Sequence, residues 1–209
     1  MRCKEPGLLL VLSGPSGAGK GTVGKRLMEK NDSIVFSVSA TTRPARRGEK
    51  DGREYYFYDK EAFLAAASNG EMLEHAEYCG NFYGTPKEPV LRSMEDGCTV
   101  LLYIDVQGGA QIKKIFPGAV TVFLVPPSEE ILKKRLFARD TDSEENIKNR
   151  LFAARSEYLE GLQYDYIVMN DELELCVHEV ECILCAEHKR AARQKKLIYE
   201  VTTNVEPGS

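Results

Sequence analysis

Leu8-Leu9-Leu10-Val11-Leu12-Ser13-Gly14-Pro15-Ser16-Gly17-Ala18-Gly19-Lys20-Gly21-Thr22 sets an apolar run directly before a glycine-rich turn, with a helix-forming segment at 22–30 behind it. Five consecutive aliphatic residues read as a buried strand. The glycines then permit positive φ and close backbone approach, so that successive N–H groups converge on an anion at a helix N-terminus. Lys20 adds the full positive charge that a β- or γ-phosphate requires. The stretch therefore predicts a nucleoside triphosphate cradle rather than a plain glycine turn beside a surface lysine. Gly21 occupies the place of the usual hydroxyl residue, with Thr22 one position later. Direct coordination of Mg²⁺ by the loop is therefore not expected. The string Gly19-x-Gly21-x-x-Gly24 fits a dinucleotide fingerprint only as text, because it begins where the turn ends.

Outward from the loop, strand-like runs at 34–38, 100–104, 120–125 and 166–169 alternate with helix-like spacing at 128–139, 144–159 and 172–193. That alternation predicts an α/β fold with a central parallel sheet in three layers and ligands at the carboxyl ends of the strands. Residues 39–97 break the rhythm with short strands near 54–58 and 72–78, a helix near 59–67 and several turns. They read as an inserted lobe. The polar run within 136–150 reads as a lid, and 202–209 as a frayed tail. The core then comprises about 1–38, 98–135 and 151–193, in one domain of 209 residues.

A net charge of −4 argues against a general nucleic-acid binder, which gains affinity from excess Lys and Arg. Residues 8–12 are too short for a secretion signal, and no stretch approaches a membrane span. A cytosolic protein is expected. The six cysteines are not spaced as a secreted framework. Cys182, Cys185 and His188 recur every three residues beside Val177, Val180 and Ile183, together with Cys176, and core packing is the expectation over a zinc site. The basic residues Lys189, Arg190, Arg193, Lys195 and Lys196 are expected to form the solvated end of a helix.

Arg43, Arg46 and Arg47 fall within a loop marked by Pro44, Gly48 and Gly52, and a second cationic site beside a triphosphate cradle suits a phosphorylated acceptor. Here the chain resembles the guanylate kinases. The phosphate loop, Thr42-Arg43-x-x-Arg46-x-Gly48-Glu49-x-x-Gly52-x-x-Tyr55, Gly80-Asn-Phe-Tyr83-Gly84-Thr85, Ile104-Asp105-Val-Gln-Gly108, Pro126-Pro127-Ser128, Arg135-x-x-x-Arg139 and Asn170-Asp171 occur in the family's order over about 8–188. The resemblance implies that 39–97 is a GMP-binding lobe. It places Arg43, Arg46, Tyr55 and Tyr83 on the GMP phosphate and Ser39, Glu74, Thr85 and Asp105 on guanine. The chemistry of the base agrees, since guanine offers N1–H and an amine to carboxylates, and O6 and N7 to hydroxyls or arginine.

The resemblance further places ATP on Gly14, Pro15, Ser16, Gly17, Ala18, Gly19, Lys20, Gly21, Thr22, Arg135, Arg139 and Asn170, with Lys20, Arg43, Arg135, Arg139 and Arg150 as the catalytic cations. Mg²⁺ is expected as the cofactor, held by ATP phosphates and water, with Thr22 or Asp105 reaching it through water. Two positions depart from the family pattern. Tyr103 stands where an Asp is common, and Asp140 where glycine is. The implied activity is transfer of the γ-phosphoryl group of ATP to GMP, and also dGMP, with no nucleic-acid or membrane partner. Another nucleoside monophosphate kinase is the nearest alternative. A GTPase fits Asp105-x-x-Gly108 but lacks an Asn-Lys-x-Asp motif, and a peptide-binding scaffold domain would have no need of Lys20 and the lid arginines.

Overall fold

The computed structural model describes residues 7–78, 80–137 and 144–203. In chain order the elements are β1 (Leu9–Ser13), α1 (Lys20–Lys30), β2 (Ile34–Phe36), β3 (Ser39–Thr41), β4 (Tyr55–Phe57), α2 (Lys60–Ser68), β5 (Met72–Tyr78) and β6 (Asn81–Pro86). These are followed by α3 (Lys87–Glu95), β7 (Thr99–Tyr103), α4 (Val106–Ile115), β8 (Val120–Val125), α5 (Glu129–Phe137), α6 (Glu144–Gly161), β9 (Tyr166–Met169), α7 (Leu173–His188) and α8 (Lys195–Thr203).

The five apolar runs form one parallel sheet in the order β2-β7-β1-β8-β9. β1 lies at its centre, and alternation along it divides the core. Leu8, Leu10 and Leu12 face α1 and α7, packing with Val23, Leu27, Val177 and Val180. Leu9 and Val11 face the opposite side, where Val90 of α3 and Ile112 of α4 cover them. A parallel sheet covered by helices on both faces must be apolar along whole strands, which is why β1 has no polar residue before Ser13. A smaller sheet, β4-β3-β6-β5, is parallel between β3 and β4 and antiparallel elsewhere. Its own apolar cluster of Ala40, Phe63, Ala66 and Met72 makes it a separate packing unit.

Several expectations change in three dimensions. β3, β6, α3 and α4 were not legible as elements. α4 is short, and its core-facing Val106 and Ile112 are diluted by Gly108 and Gly109. α7 stops at His188, and Thr202 and Thr203 belong to α8 rather than to a frayed tail; 204–209 lie outside the described residues. The three-residue repeat on α7 does not mark its core face. Cys182 and Cys185 are exposed, while Cys176, Val177, Val180 and Leu184 are buried. The basic run is not wholly solvated either. Arg193 donates to the Gly118 carbonyl at 2.8 Å and to Glu187 at 3.1 Å, so this arginine fastens the segment behind α7 to the turn before β8. No helix among the described residues is long and apolar enough to cross a membrane.

Candidate active site

The turn after β1 owes its shape to three glycines at positive φ: Gly14 at 141°, Gly17 at 91° and Gly19 at 96°. Space forbids a side chain at two of them as firmly as torsion does. A Cβ on Gly14 would lie 2.3 Å from the Leu124 carbonyl oxygen, and one on Gly19 would lie 2.2 Å from Asn170 Nδ2. Asn170, buried at the end of β9, uses that nitrogen to donate to the Ala18 carbonyl at 2.8 Å. It thus braces the turn from the edge strand, two places from β1 in the sheet. Lys20 opens α1 and folds its ammonium back onto the carbonyls of Gly14 and Pro15. Pro15 is buried and Ser16 half-buried, and Arg150 Nη1 donates to Ser16 Oγ at 2.8 Å.

Beside the turn, Gly17, Gly19, Thr22, Arg135, Asn170, Asp171 and Leu173 line a cavity of about 340 Å³. Arg135 Nη2 donates to the Asn170 carbonyl at 2.8 Å, while its buried Nη1 has no hydrogen-bond partner among the described residues. A buried guanidinium nitrogen left unpaired is costly, so this cation is set up for an anionic ligand. Thr22 faces the same cavity. Gly21 faces open space, and a Cβ there would meet nothing within 4 Å. Arg139 and Asp140 lie outside the described residues.

The smaller sheet presents the second half of the site. Tyr55 of β4 and Tyr83 of β6 approach edge to face, with ring centroids 6.2 Å apart, and the Arg43 guanidinium sits 5.4 Å over the Tyr55 ring. Arg43 Nη2 donates to both Glu49 oxygens at 2.9 and 3.0 Å, and the Arg46 amide donates to the same carboxylate at 2.7 Å. Glu49 therefore organises the arginine loop, and the Arg46 amide leads the causes that hold its carboxyl below the ordinary range. Sequence reasoning assigned Glu49 no task; an acid set in an arginine-rich loop was the available signal. The Arg46 side chain is exposed.

Ser39 begins β3, opposite Tyr55 in register. Glu74 and Thr85 are cross-strand partners on β5 and β6, and the Thr85 hydroxyl donates to Glu74 Oε1 at 2.6 Å. Glu74 is only 8% exposed. Burial pushes its carboxyl up, the Thr85 hydroxyl opposes the rise, and the charge of Asp105 adds to it. Asp105 sits at the end of β7 and caps α4, accepting from the Gly108 amide at 2.8 Å. A Cβ on Gly108 would lie 3.4 Å from Glu74 Oε2, so the first turn of α4 adjoins the buried carboxylate. The fold thus brings Glu74, Thr85 and Asp105 from three elements to one spot.

Tyr103, the residue that departs from the family pattern, points away from this spot. It stacks against Phe36, ring centroids 4.7 Å apart, and its hydroxyl covers Gly24, where a Cβ would lie only 2.1 Å away. That hydroxyl is buried with no hydrogen-bond partner among the described residues, and burial raises it to about 12. Tyr103→Phe removes an unpaired polar group while keeping the ring. It is expected to raise stability by about 1 kcal/mol, read as a higher urea midpoint at unchanged slope. A lower midpoint would show that the hydroxyl has a partner in solution.

A strand-turn-helix phosphate cradle at the carboxyl end of a parallel sheet, facing a second cationic pocket, defines a P-loop kinase. Residues 7–187 match the family model described as Guanylate kinase. The chain is 46% identical over 196 residues to the guanylate kinase of Clostridioides difficile strain 630, covering 94% of this chain and 96% of that one. It is 50% identical over 194 residues to the guanylate kinase of Cereibacter sphaeroides, with 92% of each covered. The crystal structure of guanylate kinase from Anaplasma phagocytophilum superposes with a TM-score of 0.76 at 38% identity, covering 97% of this chain and 98% of that one. The chain belongs to the guanylate kinase family, whose reaction is phosphoryl transfer from ATP to GMP.

Proposed function

We propose a division of labour in which the phosphate turn holds ATP, the smaller sheet holds GMP or dGMP, and Mg²⁺ accompanies the triphosphate. The observation that carries this reading is the convergence of Glu74, Thr85 and Asp105. It offers a guanine-reading group of carboxylates and a hydroxyl within one site. Adenine has no N1 donor and would leave a buried carboxylate unpaired, and sites of this polar type discriminate by roughly 10⁴ to 10⁵. Ser39 completes the base pocket. Arg43, Arg46, Tyr55 and Tyr83 take the acceptor phosphate, for which Arg43 exchanges part of its bonding to Glu49.

On the donor side, the amides of residues 14–22 cradle the phosphates. Thr22 lies toward the α-phosphate, while Asn170 and the cavity beside it receive the nucleoside. Arg135, Arg139 and Arg150 close over the transferring group as residues 136–150 move as a lid, and 39–97 moves as the acceptor lobe. The acceptor oxygen is already anionic near neutral pH, so no general base is assigned. Catalysis is positioning and charge stabilisation, with Lys20 and the arginines arranged around the transferring phosphoryl group. Closure excludes water, which would otherwise accept that group. The oxygen donors at this site are hard, as a magnesium ion prefers. When bound, it neutralises charge on the β- and γ-phosphates.

The test is ADP formation from MgATP with GMP, dGMP, AMP, UMP or no acceptor. Strong turnover with GMP and dGMP and little with AMP or UMP is expected. Hydrolysis independent of acceptor would overturn the assignment of the base pocket. Comparable GMP and AMP turnover would do the same.

A further inference from the structure

β1 and β7 are neighbours in the sheet, yet the helices that follow them cover opposite faces. β1 runs into α1, whose Val23 and Leu27 pack on the face of Leu8, Leu10 and Leu12. β7 runs into α4, whose Ile112 packs on the face of Leu9 and Val11. In an open α/β sheet that divergence opens a crevice at the carboxyl ends of the two strands, and ligands bind there. The phosphate turn follows the end of β1 and Asp105 follows the end of β7, so the two flank the crevice.

Ser13, the last residue of β1, sits where the two strands part. On the β8 side the ladder still holds it, in register with Phe123. On the β7 side the ladder stops one residue earlier, at the pair Leu12 and Tyr103. From there the side chain takes over. Ser13 Oγ donates to the Ile104 carbonyl at 3.0 Å and lies 3.3 Å from the Asp105 carbonyl oxygen. That Asp105 oxygen also accepts the Gly109 amide at 2.9 Å, while the Asp105 carboxylate accepts the Gly108 amide at 2.8 Å. Ser13 is fully buried, and α4 closes over it: a Cβ on Gly109 would lie 3.2 Å from Ser13 Oγ. One hydroxyl therefore joins the two sides across the floor of the crevice. The next residue, Gly14, opens the phosphate turn.

We propose that Ser13 couples the two nucleotide sites. Its hydroxyl ties the root of the phosphate turn to the acid assigned to guanine, so a phosphate that fixes the turn also fixes Asp105. Guanine on Asp105 steadies the turn in return, because coupling between two binding equilibria is reciprocal. The inference rests on the base-pocket reading above. Ser13 is a positioning residue under this assignment, since a fully buried side chain touches neither nucleotide.

The test is calorimetry on the full-length protein, with GMP titrated in alone and again in the presence of saturating MgADP. ADP lacks the γ-phosphoryl group, so no transfer occurs during the titration. MgADP alone and AMP alone supply the remaining affinities. The wild type is expected to bind GMP about tenfold more tightly with MgADP present, within the span usual for coupled sites. Ser13→Ala is expected to abolish most of that gain while leaving the affinity for each nucleotide by itself close to that of the wild type. Ser13→Cys carries a weak donor and should retain an intermediate gain, which keeps the test decisive should the alanine variant fail to fold. An undiminished gain in both variants would overturn the proposal and assign the coupling to closure of the lid and lobe. So would the absence of any gain in the wild type, or a loss confined to the separate affinities, which would give Ser13 a purely structural role. AMP bound by the wild type as tightly as GMP would instead defeat the base-pocket reading, and the inference with it, so the two failures are distinct.

Discussion

Lys20→Ala lowers turnover of MgATP with GMP by about 10³-fold or more, within the span observed when a preorganised donor or cation is removed from a transferring phosphoryl group. The ammonium already lies against the Gly14 and Pro15 carbonyls, so it reaches the phosphates with little reorganisation. The loss should fall mainly on kcat, because charge on the transferring group peaks in the transition state while the site proposed for GMP lies on another sheet. Steady-state ADP formation, with a thermal melt to verify the fold, measures it. A change confined to the KM for ATP would assign Lys20 to ground-state binding alone.

Glu74→Gln is expected to separate stability from function. The amide retains an oxygen to accept the Thr85 hydroxyl but presents N–H groups to guanine donors, so kcat/KM for GMP should fall by about 10² to 10³-fold. Stability should move the other way. The folded state raises the Glu74 carboxyl above its usual 4.5, so the folded form binds the proton more tightly than the unfolded chain does. The associated stability is present below about pH 4.5 and is lost as pH rises through the folded value. At pH 7 the wild type carries a buried charge that Gln lacks. The ligand-free variant should therefore melt higher by about 2 to 4 °C, with the gap closing below pH 4.5. Equal melting temperatures at pH 7 would show that Thr85 and water already compensate the charge.

Much of the donor half was legible because it is local. A glycine demanded by positive φ, a lysine at a fixed offset and an apolar run before them are short-range requirements, and the cradle stands where they put it. The acceptor half was legible mainly by resemblance. Nothing in the spacing of Ser39, Glu74, Thr85 and Asp105 brings them together; the pairing of β5 with β6 and the cap of α4 do. Glu49 was passed over for a related reason. It is an acid in a charged stretch, and the fold of the loop turns the Arg46 amide and the Arg43 guanidinium onto it. The α7 cysteines show the converse error. Their spacing looked amphipathic, but the buried face is set by where α7 meets α1, β8 and β9.

By itself the sequence determined the five-stranded parallel sheet, the phosphate turn at its centre and the class of chemistry, because strand burial and backbone torsion depend on residues adjacent in the chain. Only the tertiary structure decided that Asn170 braces the turn and that Tyr103 covers Gly24 instead of lining the site. Those relations join residues tens of positions or more apart. Packing and electrostatics select them once the elements assemble, and no periodicity in the chain records the choice.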